Sequence, residues 1–419
     1  MMSLEGPYVS AIIARISQPT FNLAAYGVAF AFALILEAPI IMIMSASTAL
    51  VKSFPSLSKL FRFTLILNIV ITLFTLVILI PNIFYFITES LLHLPVEVAN
   101  LTHTGLLLLI PWPAAIGFRR FYQGILIRNS ETRKVAYGTV VRLASMSISA
   151  ALLAAFTDYP GVVVGAASLS IGVVLEAFAS RWMVHKQIER IKTIVNWLPE
   201  EKRLTYKDIA VFYYPLALTS MLSLGVHPMV TFFLGKSKLA IESLAVLPVV
   251  NSFIFLFRSI GLSYQEVAIA LVGDTFENYK EIRKFAFYLA GGVLCILSLT
   301  AFTPLADFWY RIISGLKPEL AKLAISATKI LVLLPALTVW LSMQRSILVA
   351  GNFTRPITFA TSIEVIGILL ALAIAVLYLN IIGVIAAAFA FVLGRIGANI
   401  YLLKHYRNII KKKYSIPAE

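Results

Sequence analysis

Long apolar runs dominate the chain. Between charged or Pro/Gly-rich breaks they recur at roughly 20 mainly apolar residues, the length that carries a helix across about 30 Å of hydrocarbon. They cover 7–22, 25–50, 62–87, 104–126, 135–156, 160–182, 208–234, 240–271, 284–305, 319–349, 357–379 and 382–404. The first is the most irregular, being short and interrupted by Arg15 and Pro19. Glu5 also breaks its apolar character and no small-residue cleavage site follows, so it reads as a short first span and not as a signal peptide. With 60% of 419 residues hydrophobic and 13% charged, a soluble globule would lack the polar surface to cover them. The expected fold is therefore an all-α polytopic membrane protein of twelve transmembrane helices, with no soluble domain left over.

The formal charge of +15 invites a nucleic-acid reading, but the cations are spread through short loops. No stretch interleaves basic and aromatic residues as a base-stacking surface requires, so no nucleic-acid partner is expected. Topology accounts for the excess. Lys52, Lys59, Arg128, Arg133, Lys134, Lys186, Arg190, Lys192, Lys202 and Arg203 follow the even-numbered spans 2, 4 and 6, and Lys404, Arg407, Lys411, Lys412 and Lys413 end the chain. Opposite loops are poor in cations, apart from those carrying Lys236, Lys238, Arg311 and Lys317. The positive-inside rule then places both termini in the cytoplasm, of a chain expected in the cell membrane. Cys295 is the sole cysteine and the five histidines are scattered, so neither a disulfide nor a metal site is expected.

A self-match at a constant offset of 222 residues divides the chain in two. Pro113-Ala114 recurs as Pro335-Ala336, Ile125-Leu126 as Ile347-Leu348, Thr132-Arg133 as Thr354-Arg355, Thr139 as Thr361, Gly161-Val162 as Gly383-Val384 and Gly172 as Gly394. Six spans separate the copies, so both point the same way through the bilayer. That is a parallel repeat, two six-helix lobes related by a pseudo-two-fold along the membrane normal, as in rocking carriers. The expected lobes are 1–185 and 208–419, joined by a basic cytoplasmic linker at 186–207.

At these segments the chain resembles the MATE (multidrug and toxic compound extrusion) family of the multidrug/oligosaccharidyl-lipid/polysaccharide flippase superfamily. The run Arg119-Arg120-Phe121-Tyr122-Gln123-Gly124-Ile125-Leu126, then Thr132-Arg133, is similar to the end of MATE span 4. Gln344-Arg345-Ser346-Ile347-Leu348, with Gly351 and Thr354-Arg355-Pro356, resembles the span 10 version. Leu23-Ala24-Ala25-Tyr26-Gly27-Val28-Ala29 is also similar to progressive ankylosis proteins, which the resemblance implies export small polyanions. The resemblance implies a secondary exporter of amphiphilic organic substrates of multidrug type, working as an H⁺ or Na⁺ antiporter by rocking-bundle alternating access. Its alternatives are an exporter of organic or phosphate anions and a flippase of lipid-linked sugars. The chain departs from the pattern at the coupling carboxylates of those exporters: span 1 offers Gln18 and Asn22 but no acid, span 7 only Asp208 and span 10 only Glu319. An atypical subfamily is implied.

A charge at the bilayer centre costs at least about 2.5–3.5 kcal/mol, so each needs a reason. Glu37, Arg258 and Arg395 fall nearest the midplane. Glu37 has no charged neighbour in sequence for more than a dozen residues, and a lone carboxylate stripped of water suits trading its charge for a cation. It is the candidate coupling residue, with a carbonyl freed by Pro39 as a further cation ligand. Arg258, Gln265, Glu266, Gln18, Asn22 and Tyr26 are candidates for the substrate cleft, Arg258 and Gln265 sharing one helix face. Spans 2 and 8 hold matching places, so Glu37 is expected to face Arg258 and Glu266 across the cleft. Arg142 and Glu364 occupy the same repeat position with opposite sign and are expected to pair across the lobes; with Glu176 and Arg395 they form the candidate gates or ion pairs. Arg119, Arg120 and Arg345 are expected to snorkel to the cytoplasmic interface. No phosphate-cradling glycine loop, nucleophile triad or metal cluster occurs, so neither an enzyme, an ATP-driven pump nor a cofactor is expected beyond the coupling ion. The remaining expected partners are the bilayer and a small-molecule substrate, for a chain acting as a monomer.

Overall fold

The computed structural model describes residues 2–193, 204–272, 276–351, 353 and 355–414, with backbone only for Met2, Glu266, Ala270 and 412–414. Much of the basic linker, at 194–203, thus lies outside the described residues. In chain order the helices are α1 (Glu5–Ile13), α2 (Pro19–Glu37), α3 (Ile43–Leu50), α4 (Phe54–Ile78), α5 (Pro81–Tyr85), α6 (Val96–Leu108), α7 (Pro111–Arg128), α8 (Thr132–Phe156), α9 (Gly161–Met183), α10 (His185–Thr193) and α11 (Tyr206–Leu224). They continue with α12 (Val226–Gly235), α13 (Ala240–Leu271), α14 (Tyr279–Phe302), α15 (Leu305–Asp307), α16 (Pro318–Leu331), α17 (Leu333–Ala350), α18 (Arg355–Ala373) and α19 (Gly383–Tyr414). Among the described residues no β-sheet forms; Lys238 and Ile382 make a single isolated bridge.

Eleven of these segments are long and apolar enough to cross a membrane, and α1 makes the twelfth element. The broken pairs α2/α3, α6/α7, α11/α12 and α16/α17 each count as one element. Proline chemistry marks the break before α7, which opens on Pro111 with Pro113 two residues on, and Pro335 sits at the place related to Pro113, near the start of α17. The protein is thus an all-α, multi-pass membrane protein.

The first span departs from the sequence expectation. It ends at Ile13 and not near 22, because Gln18 takes a left-handed conformation (φ 50°) and Pro19 starts a new helix. At nine residues α1 rises only about 13 Å, under half the hydrocarbon thickness. Arg15 is held by this turn: its guanidinium donates to the Ala11, Ile312 and Ile313 carbonyls at 2.6, 2.7 and 2.8 Å. It satisfies backbone acceptors at a helix end after α15, so the charge that interrupted the apolar run is a cap.

Two compact units form, one of Ile16–Thr231 and one of Ser3–Arg15 with Phe232 onwards. Their limits differ from the sequence division at 185 and 208. The short α1 packs on α13 in the second unit, where Gly6 lets Ser252 approach so closely that a Cβ would sit 2.6 Å from it. Helix α11 packs on α2, α3 and α4 in the first unit. Its Tyr213 hydroxyl donates to the Pro39 carbonyl and its Ser220 hydroxyl to that of Ala38, at 2.6 Å for the serine. The break between α2 and α3 leaves those carbonyls without helical donors, and α11 supplies them.

Candidate functional site

Each unit buries a charge cluster on three repeat-related helices, α7, α8 and α9 in the first and α17, α18 and α19 in the second. In the first unit Glu176 of α9 is fully buried and anchors the cluster. Arg119 of α7 donates to its Oε2 at 2.6 Å, Gln123 of α7 to its Oε1 at 3.1 Å, and Arg142 of α8 lies 3.7 Å from Oε2. Close helix packing makes this possible. A Cβ on Gly172 would lie 3.2 Å from the Arg142 carbonyl, and one on Gly124 only 1.9 Å from Ser47 Oγ of α3. Gly172, a glycine of the repeat, therefore marks where α9 meets α8, and Gly124 where α7 meets α3.

Glu37, the last residue of α2, is buried beside this cluster. Its Oε2 accepts from the indole N–H of Trp112 on α7 at 2.8 Å. The Arg142 guanidinium lies over the same indole, 5.3 Å from its centroid. Glu37, Trp112, Arg142, Glu176 and Arg119 thus make one continuous polar chain through the first unit. Arg120, also on α7, lies within electrostatic reach of Glu37, with its Nη1 3.5 Å from Met44 Sδ. The cation ligand expected at Pro39 is not free: Tyr213 and Ser220 occupy the two carbonyls beyond Glu37, and the Ile35 carbonyl accepts from Ala38 at 3.3 Å.

In the second unit Arg395 of α19 is ion-paired with Glu364 of α18, its Nη2 2.8 Å from Oε1. Gly394 brings the helices together, a Cβ there falling 2.8 Å from the Glu364 carbonyl. Arg345 of α17 donates to Thr361 Oγ1 at 3.1 Å, and Arg258 lies near the middle of α13. Both arginines are half-buried and within electrostatic reach of Glu364 and Arg395. The 222-residue offset carries Gln123 to Arg345, Arg142 to Glu364 and Glu176 to Ala398. Each unit therefore builds its cluster on the same three helices, but the carboxylate has moved from the last of them to the middle one.

Several expectations change. Arg142 and Glu364 were expected to pair across the lobes; each has an oppositely charged partner in its own unit, Glu176 and Arg395. Arg119 does not snorkel: it is 2% exposed and ion-paired, because a buried carboxylate offers more than the interface does. Asp208 caps α11, accepting from the Thr205 backbone N–H at 2.9 Å and its hydroxyl at 2.6 Å. Of the cleft candidates, Gln18 is exposed in the turn before α2, Gln265 is half-buried on α13, and the side chain of Glu266 lies outside the described residues. Tyr26 is buried and stacks on Phe30 with centroids 6.1 Å apart, and Phe30 in turn meets Trp112 edge-on.

Asn22 has a structural occupation. Its Nδ2 donates to the Ser17 and Gln18 carbonyls, and its Oδ1 accepts from the Val162 N–H at 2.9 Å, joining the starts of α2 and α9. Replacing Asn22 with alanine strands a buried backbone donor and is expected to lower stability by about 1–3 kcal/mol, read from thermal unfolding of the purified protein.

Trp112 is the site residue the sequence reading missed. A signal existed: an indole N–H inside an apolar span needs an acceptor, and Glu37 is an acid inside an apolar span of the same lobe with no charged sequence neighbour.

No protein-family model and no curated protein matches the sequence. Solved structures match along the whole chain. An inward-facing multidrug resistance MATE family transporter of the MOP superfamily superposes with a TM-score of 0.79 at 16% identity, over 100% of this chain and 97% of that one. The lipid II flippase MurJ in an inward closed conformation gives 0.69 at 15%, over 99% and 90%. A MOP superfamily transporter from Pyrococcus furiosus, described by a binding pocket of reverse polarity, gives 0.55 at 15%, over 98% and 95%. The chain has the fold of the MATE transporters of the MOP superfamily, twelve helical elements in two repeated halves.

Proposed function

We propose that the protein is a secondary active carrier that exports an amphiphilic organic solute by alternating access, driven by H⁺ or Na⁺ moving the other way and bound at Glu37. The observation that carries the coupling assignment is the placement of Glu37. It is a buried carboxylate at the break between two helices, held through Trp112 and not directly by a cation of its own. A carboxylate in that position is free to exchange a proton or sodium ion when the break moves. The fold supports the carrier mechanism, and the distribution of loop cations supports a cell-membrane protein with both termini in the cytoplasm.

A second reading concerns the cargo. The multidrug type implied by the sequence resemblance favours organic cations, whereas the buried charge favours a solute carrying an anionic group. Three guanidinium groups gather around one carboxylate in the second unit. The matched structures include both a multidrug transporter and a lipid II flippase, so fold likeness supports either cargo class.

Purified protein in proteoliposomes, given an imposed pH or sodium gradient, separates these readings. Uptake of a fluorescent cationic dye supports the multidrug cargo, and uptake of pyrophosphate or citrate without dye supports the anion. Accumulation of neither, with either gradient, would remove the gradient-driven carrier.

A further inference from the structure

We infer that the second unit contains an oxyanion-binding site, in which Arg258 of α13 and Arg345 of α17 hold a phosphate- or carboxylate-type group beside the Glu364–Arg395 pair. The inference deepens the anionic-cargo reading and rests on it only for the ligand's role as cargo.

The argument is one of charge and unused donors. Arg395 is neutralised by Glu364 Oε1 at 2.8 Å. Arg345 has only the hydroxyl of Thr361, a neutral partner. Arg258 makes no hydrogen bond or ion pair among the described residues, and the Nε atoms of Arg258, Arg345 and Arg395 are all buried without a partner. Three positive charges therefore lie within electrostatic reach of one negative charge on the spanning helices α13, α17, α18 and α19. Removing a guanidinium from water without a counter-charge costs several kcal/mol, so an arrangement with two surplus cations is incomplete as it stands.

The first unit sets two carboxylates, Glu37 and Glu176, against Arg119, Arg120 and Arg142. There Glu176 receives Arg119, Arg142 and Gln123 together, and Glu37 lies one indole away. At the 222-residue offset Gln123 becomes Arg345, Glu176 becomes Ala398, Arg142 becomes Glu364 and Glu37 becomes Ser259, so the second cluster has one carboxylate where the first has two. Both Arg258 and Arg345 keep part of their surface accessible. Their planar forks match the paired oxygens of a phosphate or carboxylate, which is the geometry that favours arginine at oxyanion sites. Helix packing holds the pair in place: Gly261, one turn beyond Arg258, lies against α17, where a Cβ would come within 3.0 Å of the Val339 backbone.

A lipid phosphate and a free phosphate offer the same chemistry, and the test separates them. Pyrophosphate is titrated by calorimetry into the full-length protein in nanodiscs of neutral phosphatidylcholine, then in discs containing phosphatidylglycerol. The expected result is saturable binding in neutral discs that weakens by about tenfold or more in Arg258→Ala and in Arg345→Gln, with partial recovery in Arg258→Lys. If the natural source is a lipid, phosphatidylglycerol competes with pyrophosphate and stays bound to wild type, but not to Arg258→Ala, in native mass spectrometry. If it is soluble, the two disc types behave alike. Thermal unfolding identifies any variant that fails to fold, and Arg345→Gln, which restores the residue type at Gln123, then carries the test. The site is overturned if wild type binds neither pyrophosphate nor phosphatidylglycerol, or if folded Arg258→Ala and Arg345→Gln bind as wild type does. Binding needs no gradient, so its failure is distinct from failure of transport.

Discussion

Replacing Glu176 with leucine is expected to cost about 3–5 kcal/mol of stability, because it leaves buried arginine without its counter-charge. Glu176 is fully buried and receives Arg119 at 2.6 Å and Gln123 at 3.1 Å, with Arg142 at 3.7 Å. The replacement keeps the volume and apolar character of the span, so packing is not the cause of the loss. A second change identifies the cause. Adding Arg119→Met removes the stranded cation, and the double variant is expected to recover much of what the single one lost. Thermal or denaturant unfolding of the purified protein reads both. If Glu176→Leu unfolds with wild type, the cluster is not holding α7, α8 and α9 together.

Glu37→Gln is expected to separate coupling from structure. Glutamine keeps the shape and retains a carbonyl oxygen for the Trp112 N–H, now 2.8 Å from Glu37 Oε2, but cannot exchange a charge. The rate of gradient-driven uptake in proteoliposomes should fall by about tenfold or more, equivalent to at least roughly 1.4 kcal/mol of activation free energy. Exchange of cargo against cargo, with no gradient imposed, should persist because the path for cargo is intact. Trp112→Phe retains an aromatic ring for Arg142 to stack on and removes only the donor. It is expected to slow coupled uptake without abolishing it. Undiminished gradient-driven uptake in Glu37→Gln would make this residue a structural acid.

Much of the architecture was legible because bilayer physics leaves few choices. Runs of roughly 20 apolar residues have no stable alternative to a spanning helix, and the 222-residue register followed from prolines and glycines that later proved to sit at helix breaks and close approaches. Pro113 and Pro335, and Gly172, Gly383 and Gly394, are such cases. The charges were legible only as anomalies. Hydropathy marks Glu37, Arg142, Glu176, Glu364 and Arg395 as needing partners, but partner choice depends on which helix faces are brought within about 4 Å. The pairing of Arg142 with Glu364 was inferred from the repeat alone, which does not show that each unit supplies an acid–arginine pair on its own adjacent helices. Arg119 was misplaced because its depth was judged along the sequence, while its burial comes from the lateral packing of α7 on α9. The irregular first span was visible in Arg15 and Pro19, but the cap that Arg15 provides lies about 300 residues away and leaves no local trace.

The central claim is that cargo leaves in exchange for an ion that Glu37 carries. The most direct measurement follows both species at once in weakly buffered proteoliposomes containing a pH- or sodium-sensitive dye. Adding the cargo identified in the uptake panel should drive protons or sodium the opposite way at a fixed ratio in wild type, and the ion movement should vanish in Glu37→Gln. Cargo flux of undiminished rate with no accompanying ion flux, or ion flux unchanged in Glu37→Gln, would contradict the account.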